Sequence, residues 1–141
     1  QARKLGLDCG FYVPNTANSQ FFLDLAKGAA EGTIILTYFD RNIQDSVAKA
    51  FCEKYEARWK EDTFYICPYA YDNANIIIEA LKRCSTIDRA NLLAEIKKTD
   101  YNGVTGSIQF NEKGDRNSAL SIMLQVKDGK MVIKDTLKDV S

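Results

Sequence analysis

The chain contains no histidine, only 2 prolines among 141 residues, and no excess of either charge: 19 Lys+Arg stand against 19 Asp+Glu. Without an imidazole, the Ser-His-Asp and Cys-His forms of nucleophilic catalysis are excluded, and so are histidine-based metal sites. A balanced charge argues against a nucleic-acid surface or a polybasic membrane patch. Apolar runs are short as well. The longest, such as Ile76-Ile77-Ile78, fall far below the ~20 residues that span a bilayer. No GxGxxG or P-loop sequence occurs, and Gly103-Val104-Thr105-Gly106 lacks the lysine and the following helix of a phosphate cradle. No cofactor and no metal site is expected.

What is present, at 45% hydrophobic residues, is the composition of a globular domain with one core. The 4 cysteines, Cys9, Cys52, Cys67 and Cys84, form no CxxC pair. They read either as small core hydrophobes or as two disulfides, with Cys52 and Cys84 the candidate pair on successive helices. Most carboxylates, among them Glu31, Asp40, Asp45, Glu56, Asp62 and Asp72, are placed at caps or on solvated helix faces.

The pattern of elements is mixed α/β. Gln1 to Leu5 reads as the last turn of a helix closed by Gly6, with no first turn before it, which suggests a chain cut from something longer. Gly10 to Val13 reads as a buried strand with Tyr12 in the core, and Pro14 to Ser19 as a polar loop. Ser19 or Asn18 caps a helix from Gln20 to Ala29, with Phe21, Phe22, Leu25 and Ala26 on one side. Thr33 to Phe39 is a second strand.

From Asp40 the periodicity becomes helical. Asp45 or Ser46 opens a helix with Val47, Ala50, Phe51, Tyr55 and Trp59 as its core stripe. A second runs from the Phe64 to Tyr69 segment to about Arg83, burying Ala70, Ala74, Ile77, Ile78 and Leu81, with Pro68 in its first turn. Asp88 caps a third, Arg89 to Lys98, with Leu92, Leu93 and Ile96 inward. Asn102 to Asp115 then reads as turn, short strand over Ser107 to Phe110, turn. Ala119 to Val126 alternates as a strand, and Asp128-Gly129 turns it back onto Met131 to Ile133 as a C-terminal β-hairpin.

Two stretches are candidate sites. The loop with Asn15 and Thr16 follows a strand, and small-molecule sites in α/β sheets lie beyond the carboxyl ends of strands. It reads equally as a capping and turn loop. Tyr65 and Tyr69 stand at the mouth of a helix, where tyrosines either line a cleft with an apolar wall and a hydroxyl tip or simply pack the helix start.

In order along the chain, Gln1 to Leu7, Asn18-Ser19, Ala30 to Thr33, Tyr69 to Ala74, Ala80 to Arg83, Tyr101 to Asp115 and Val126 to Lys130 resemble one family. It is the branched-chain amino-acid type of substrate-binding protein of ABC transporters, and the resemblance is to the C-terminal portion of its type I periplasmic binding fold. That resemblance implies a fragment of a two-lobed protein, a Rossmann-like layered sheet with flanking helices, whose lobes are joined by crossing strands and close on the ligand. Residues 1–39 would belong to the second lobe, 40–116 to the first, and 117–141 to a hairpin returning to the second. It implies binding of a small amino acid or related amide without catalysis, delivery to an ABC permease, and an extracytoplasmic place in the periplasm or lipid-anchored at the cell surface.

By position, Asn15 matches an acidic residue that in many members receives the ligand's ammonium group, and here an amide stands instead. Thr16 is adjacent to it, and the segment from Tyr65 to Tyr69 matches a region that approaches the cleft. The four cysteines depart from the usual pattern. A ligand-sensing regulatory module of the same fold is the alternative function, and a carboxylate enzyme using Asp40 and Asp72 a third. As a fragment the chain would pair with missing chain, swap with a copy of itself, or rearrange.

Overall fold

A computed structural model of the chain describes residues 1–117 and 120–137. Its main sheet has the strand order β1-β2-β5-β6, where β1 is Tyr12–Val13, β2 Ile34–Thr37, β5 Ser121–Lys127 and β6 Lys130–Leu137. Strand β2 runs parallel to β1 and antiparallel to β5, which in turn pairs antiparallel with β6. The sheet thus takes strands from both ends of the chain. Between them stand helices α2 (Ser46–Trp59), α3 (Cys67–Arg83) and α4 (Arg89–Lys97), followed by the hairpin of β3 (Asp100–Gly103) and β4 (Gly106–Gln109).

The sheet core forms because Ile122, Leu124 and Val126 alternate onto one face of β5, where they meet Ile35 of β2 and Ala30. Helix α1 (Gln20–Ala26) covers that face with Phe22, Leu23 and Ala26. Asp128 and Gly129 both take positive φ, 52° and 70°, which suits the two-residue turn between β5 and β6. Glu31 holds this turn from outside, its carboxylate accepting from Asp128 N at 3.0 Å and Gly129 N at 3.3 Å.

Local capping chemistry matches expectation. Ser19 Oγ accepts from Phe22 N, the Asp45 carboxylate from Val47 N and Ala48 N, and the Asp88 carboxylate from Asn91 N. Pro68 stands at the start of α3 as expected.

Several expectations are corrected. Strand β1 is an edge of only two residues, so Tyr12 is 72% exposed rather than core. Helix α1 stops at Ala26, because the chain tightens into a 3₁₀ turn over Lys27–Ala30, and Phe21 and Leu25 are exposed. The residues expected as a helix at the N-terminus form only a 3₁₀ turn, Arg3–Leu5. Helix α2 buries Ala48 and Cys52 instead of Val47 and Trp59, which are exposed, since it packs against Phe39 and Val104 through its small side chains.

Helix α3 also turns a face inward other than the expected one. It buries Pro68, Asp72, Ile76 and Ala80, four residues apart along one face, while Ala70, Ala74, Ile77 and Ile78 are exposed. Leu93 of α4 is exposed too. The segment before Val104, expected as a turn, is strand β3, and Gly106–Gln109 rather than Ser107 to Phe110 forms β4. The strand expected from Ala119 begins at Ser121 in the described part, Ala119 itself lying outside the described residues.

All four cysteines are free, so the proposed Cys52–Cys84 pair does not form, and only Cys52 is buried while Cys9 is exposed. Burial pushes the Cys52 thiol above its ordinary range. In a thiol titration at neutral pH, Cys9 is expected to react first and Cys52 last. Raising the pH should go on accelerating Cys52 above the range where an ordinary thiol is already ionised, near pH 8.5, because its thiolate fraction is still growing there. Equal rates for the two would contradict the burial of Cys52 on α2 in the cluster with Phe39 and Val104.

Candidate functional site

The parallel pair β1 and β2 directs two successive segments to one place, the carboxyl ends of neighbouring strands. After β1, Pro14 keeps the chain extended and Asn15–Ala17 closes a 3₁₀ turn, with Ala17 N donating to Pro14 O at 3.0 Å and Asn18 N to Asn15 O at 2.9 Å. Ala17 packs against the sheet core and anchors the turn. Asn15 is half-buried and Thr16 exposed, so both amide and hydroxyl types are presented at the rim.

After β2, Tyr38, Phe39 and Asp40 carry the chain from the sheet to the helical part. Phe39 is 2% exposed, and its carbonyl accepts two hydrogen bonds, from Thr37 Oγ1 at 3.1 Å and from Asn18 Nδ2 at 3.3 Å. Asp40 is buried, contrary to the solvated role expected of it. Its carboxylate accepts from Asn42 N at 2.9 Å and Asn42 Nδ2 at 3.0 Å, turning the chain towards α2. Arg41 then pairs with Glu56 at 2.9 Å and with Asp62, and the hydrogen bond to Asp62 is the main cause that raises its guanidinium further above its ordinary range.

The two tyrosines take different positions. Tyr65 is half-buried before α3, its ring edge-on to Phe64 at 4.5 Å. Tyr69, in the first turn of α3, packs against the cluster of Phe39, Ala48, Cys52 and Val104. Its hydroxyl is buried with no hydrogen-bond partner among the described residues. Burial drives this phenol well above its ordinary range, with Arg116 opposing the shift, so it stays protonated at physiological pH.

Asp72 is 1% exposed, again not the solvated carboxylate expected. It accepts from Val104 N at 2.9 Å, Thr105 N at 2.8 Å and Thr105 Oγ1 at 2.8 Å, tying α3 to the tight turn between β3 and β4. Arg116 grips the same turn from the other side, donating to Thr105 Oγ1 at 3.0 Å and to the carbonyls of Thr105 and Ser107, each at 2.7 Å. Both oxygens of Asp72 are therefore held by backbone and side-chain donors, whereas Asp40 accepts on Oδ1 alone, and each carboxylate holds a turn of the chain.

Beside the crossing segment lies a cavity of about 840 Å³, lined by Tyr38, Asn42, Val104, Arg116, Leu120 and Ile133 among others. Asn15, Thr16, Tyr65 and Tyr69 do not line it. The structure keeps Asn15 and Thr16 together on one turn and brings Tyr69 to the Phe39 cluster, while Tyr65 stacks apart on Phe64. The bond from Asn18 to Phe39 escaped the sequence reading, because its partner is 21 residues away. The bonds by which Asp72 and Arg116 hold the β3–β4 turn escaped it as well. Among the described residues no group of His, Cys, Asp or Glu is arranged to hold a metal ion, and no helix is long and apolar enough to cross a membrane.

Comparison with known proteins places these features in a family. The leucine-specific-binding protein of Salmonella typhimurium is 29% identical over 115 residues, which is 82% of this chain and 31% of that protein. The crystal structure of a leucine binding protein from Thermotoga maritima superposes with a TM-score of 0.85 at 26% identity, covering 97% of this chain and 39% of the other. A branched-chain amino acid transporter substrate binding protein of Streptococcus pneumoniae, solved in complex with isoleucine, gives a TM-score of 0.82 at 24% identity, over 99% of this chain and 40% of that one. The chain spans about a third of the length of the curated relatives it matches. The mixed α/β fold is thus that of the type I periplasmic binding proteins. A family model described as periplasmic binding protein matches residues 1–130, and the chain belongs to that family.

Proposed function

We propose that this chain is the C-terminal section of an extracytoplasmic solute-binding protein, which holds a small amino acid or related amide between two lobes and presents it to an ABC permease. The observation that carries this reading is the turn Asn15–Ala17, set at the carboxyl ends of two parallel strands and next to the segment that leaves the sheet. Binding without chemistry fits the residues available, since the carboxylates of Asp40 and Asp72 are engaged in holding turns of the chain. The protein would work in the periplasm or at the cell surface on a lipid anchor.

The sheet supports a division in which residues 1–39 and 117–141 form one lobe and 40–116 the other, because β2 pairs with β5 across the intervening helices. Residues 118–119 and 138–141 of the returning segment lie outside the described residues. Asn15 and Thr16 would contact the ligand from the sheet side, and Tyr65 and Tyr69 from the helical side. Exposed apolar side chains such as Leu36, Tyr38, Ile77 and Ile78 support cover by further chain, or by a swapped copy, on these faces.

Titration calorimetry of the full-length protein with leucine, isoleucine, alanine and their amides tests the reading. A specific ligand is expected, and at a hundredfold excess over its Kd it should stabilise the fold by about 2.7 kcal/mol. Absence of heat and of thermal shift with every amino acid and amide would sink the amino-acid assignment.

A further inference from the structure

Two segments at the carboxyl end of the parallel pair are joined by one side chain. Asn18 ends the 3₁₀ turn that carries Asn15 and Thr16, and its backbone N–H closes that turn onto Asn15 O at 2.9 Å. Its side-chain amide leaves the turn and donates to the carbonyl of Phe39, 21 residues on, at 3.3 Å. Phe39 is fully packed, and its carbonyl is held a second time by Thr37 Oγ1, the last side chain of β2. Immediately beyond it the Asp40 turn begins, and the chain leaves the sheet for the helices. The peptide between Phe39 and Asp40 is therefore both the start of the crossing and the acceptor of a bond from the candidate ligand loop.

Resting on the proposed binding role, we propose that Asn18 is a positioning residue that couples the Asn15–Ala17 turn to the crossing segment and so links ligand occupancy to lobe closure. Closure about the crossing changes backbone angles there, and a rotation of the Phe39 peptide swings its carbonyl away from Asn18 or Thr37. A ligand on Asn15 and Thr16 orders the turn, and the ordered turn fixes Asn18 on one orientation of that peptide. Occupancy and crossing geometry then bias one another, as any linkage between two equilibria requires. Tyr69, packed in the Phe39 cluster from the helical side, transmits the same orientation to the start of α3.

The test uses the full-length protein with spin labels at the exposed positions of Lys82 in α3 and Lys134 in β6, introduced as non-natural amino acids so that the free cysteines do not interfere. Distance distributions are recorded with and without leucine for the parent protein, Asn18→Ala and Asn18→Asp. Asn18→Ala should shift or broaden the distribution even without ligand and weaken leucine binding by about 3- to 10-fold, the worth of one hydrogen bond. Asn18→Asp sets an oxygen against the carbonyl and should move both readouts further in the same direction. Unchanged distributions in both variants would overturn the coupling, whatever happens to thermal stability. If the parent protein ignores leucine and the other amino acids, the binding reading fails, and the ligand-free distributions still decide for or against Asn18.

Discussion

Gly103→Ala is expected to destabilise the protein by about 3 kcal/mol or more, the range reached when overpacking meets a buried charge that has no room to move. A β-carbon built on Gly103 would lie 2.5 Å from Asp72 Oδ1 and 2.6 Å from both Cγ and Oδ2. No real β-carbon approaches a carboxylate so closely. The carboxylate has little freedom to retreat, because it is held by Val104 N, Thr105 N and Thr105 Oγ1, and its residue is buried on α3. Either α3 moves off the hairpin or these bonds break, and each buried N–H left without a partner costs about 1–3 kcal/mol. Urea unfolding of the single variants and of the double variant checks the cause. Asp72→Ala alone should be destabilising through the orphaned donors, yet Gly103→Ala added to it should cost far less than in the parent, a positive coupling in the double-mutant cycle. A Gly103→Ala midpoint indistinguishable from the parent would contradict the close approach.

The parts of this fold that could be read from sequence are those decided by neighbouring residues. Ser19, Asp45 and Asp88 cap helices, and Asp128-Gly129 turns a hairpin, through bonds and backbone angles that involve only a few positions along the chain. The alternation of Ile122, Leu124 and Val126 identified the buried face of β5 for the same reason. Helix faces were read less well. On α3 the hydrophobic stripe pointed to Ile77 and Ile78, but the hydrogen bonds offered by the β3–β4 turn draw Asp72 inward and bring Ile76 and Ala80 with it. On α2 the contact surface is fixed by Phe39 and Val104, which accommodate Ala48 and Cys52 and leave Trp59 in solvent. Strand β3 was missed because Asn102 and Gly103 have little intrinsic strand preference, and their pairing is imposed by β4.

The candidate site was legible to a similar depth. A strand, a polar loop and a capped helix in succession place Asn15 and Thr16 at a strand's carboxyl end, and the structure shows a second parallel strand ending beside them. The long-range bond from Asn18 to Phe39, the bonds of Asp72 to Val104 and Thr105, and the burial of the Tyr69 hydroxyl all depend on partners distant in sequence. No local pattern announces them. What sequence reasoning did single out is a chemical departure, an amide at Asn15 where the resemblance leads one to expect a carboxylate, and it carries the remaining prediction.

Asn15→Asp is expected to tighten binding of leucine to the full-length protein by about 10-fold or more. Asparagine and aspartate have the same shape, so the change replaces a neutral acceptor by a charged one without moving the 3₁₀ turn, whose bonds run through the backbone of Asn15 and Asn18. The ammonium is charged against either side chain, so the gain is the added attraction of opposite charges. That attraction is about 4 kcal/mol at about 4 Å and an effective dielectric of roughly 20, before the carboxylate's desolvation is subtracted, and closure of two lobes over the pair would exclude the water that screens it. The sign with pH follows from the new group. The gain should be present at neutral pH, where the carboxylate is ionised, and should fade as the pH falls towards about 4, where it protonates. 4-Methylpentanoate, which is leucine without its ammonium, separates this mechanism from a general improvement in packing. Its binding to Asn15→Asp should weaken, since the new carboxylate meets no cation and adds repulsion. Calorimetric titration of both ligands against both proteins reads the result as a crossed preference. Equal changes for leucine and for the deaminated analogue would remove Asn15 from the ammonium site and direct the search to the helical side of the cleft.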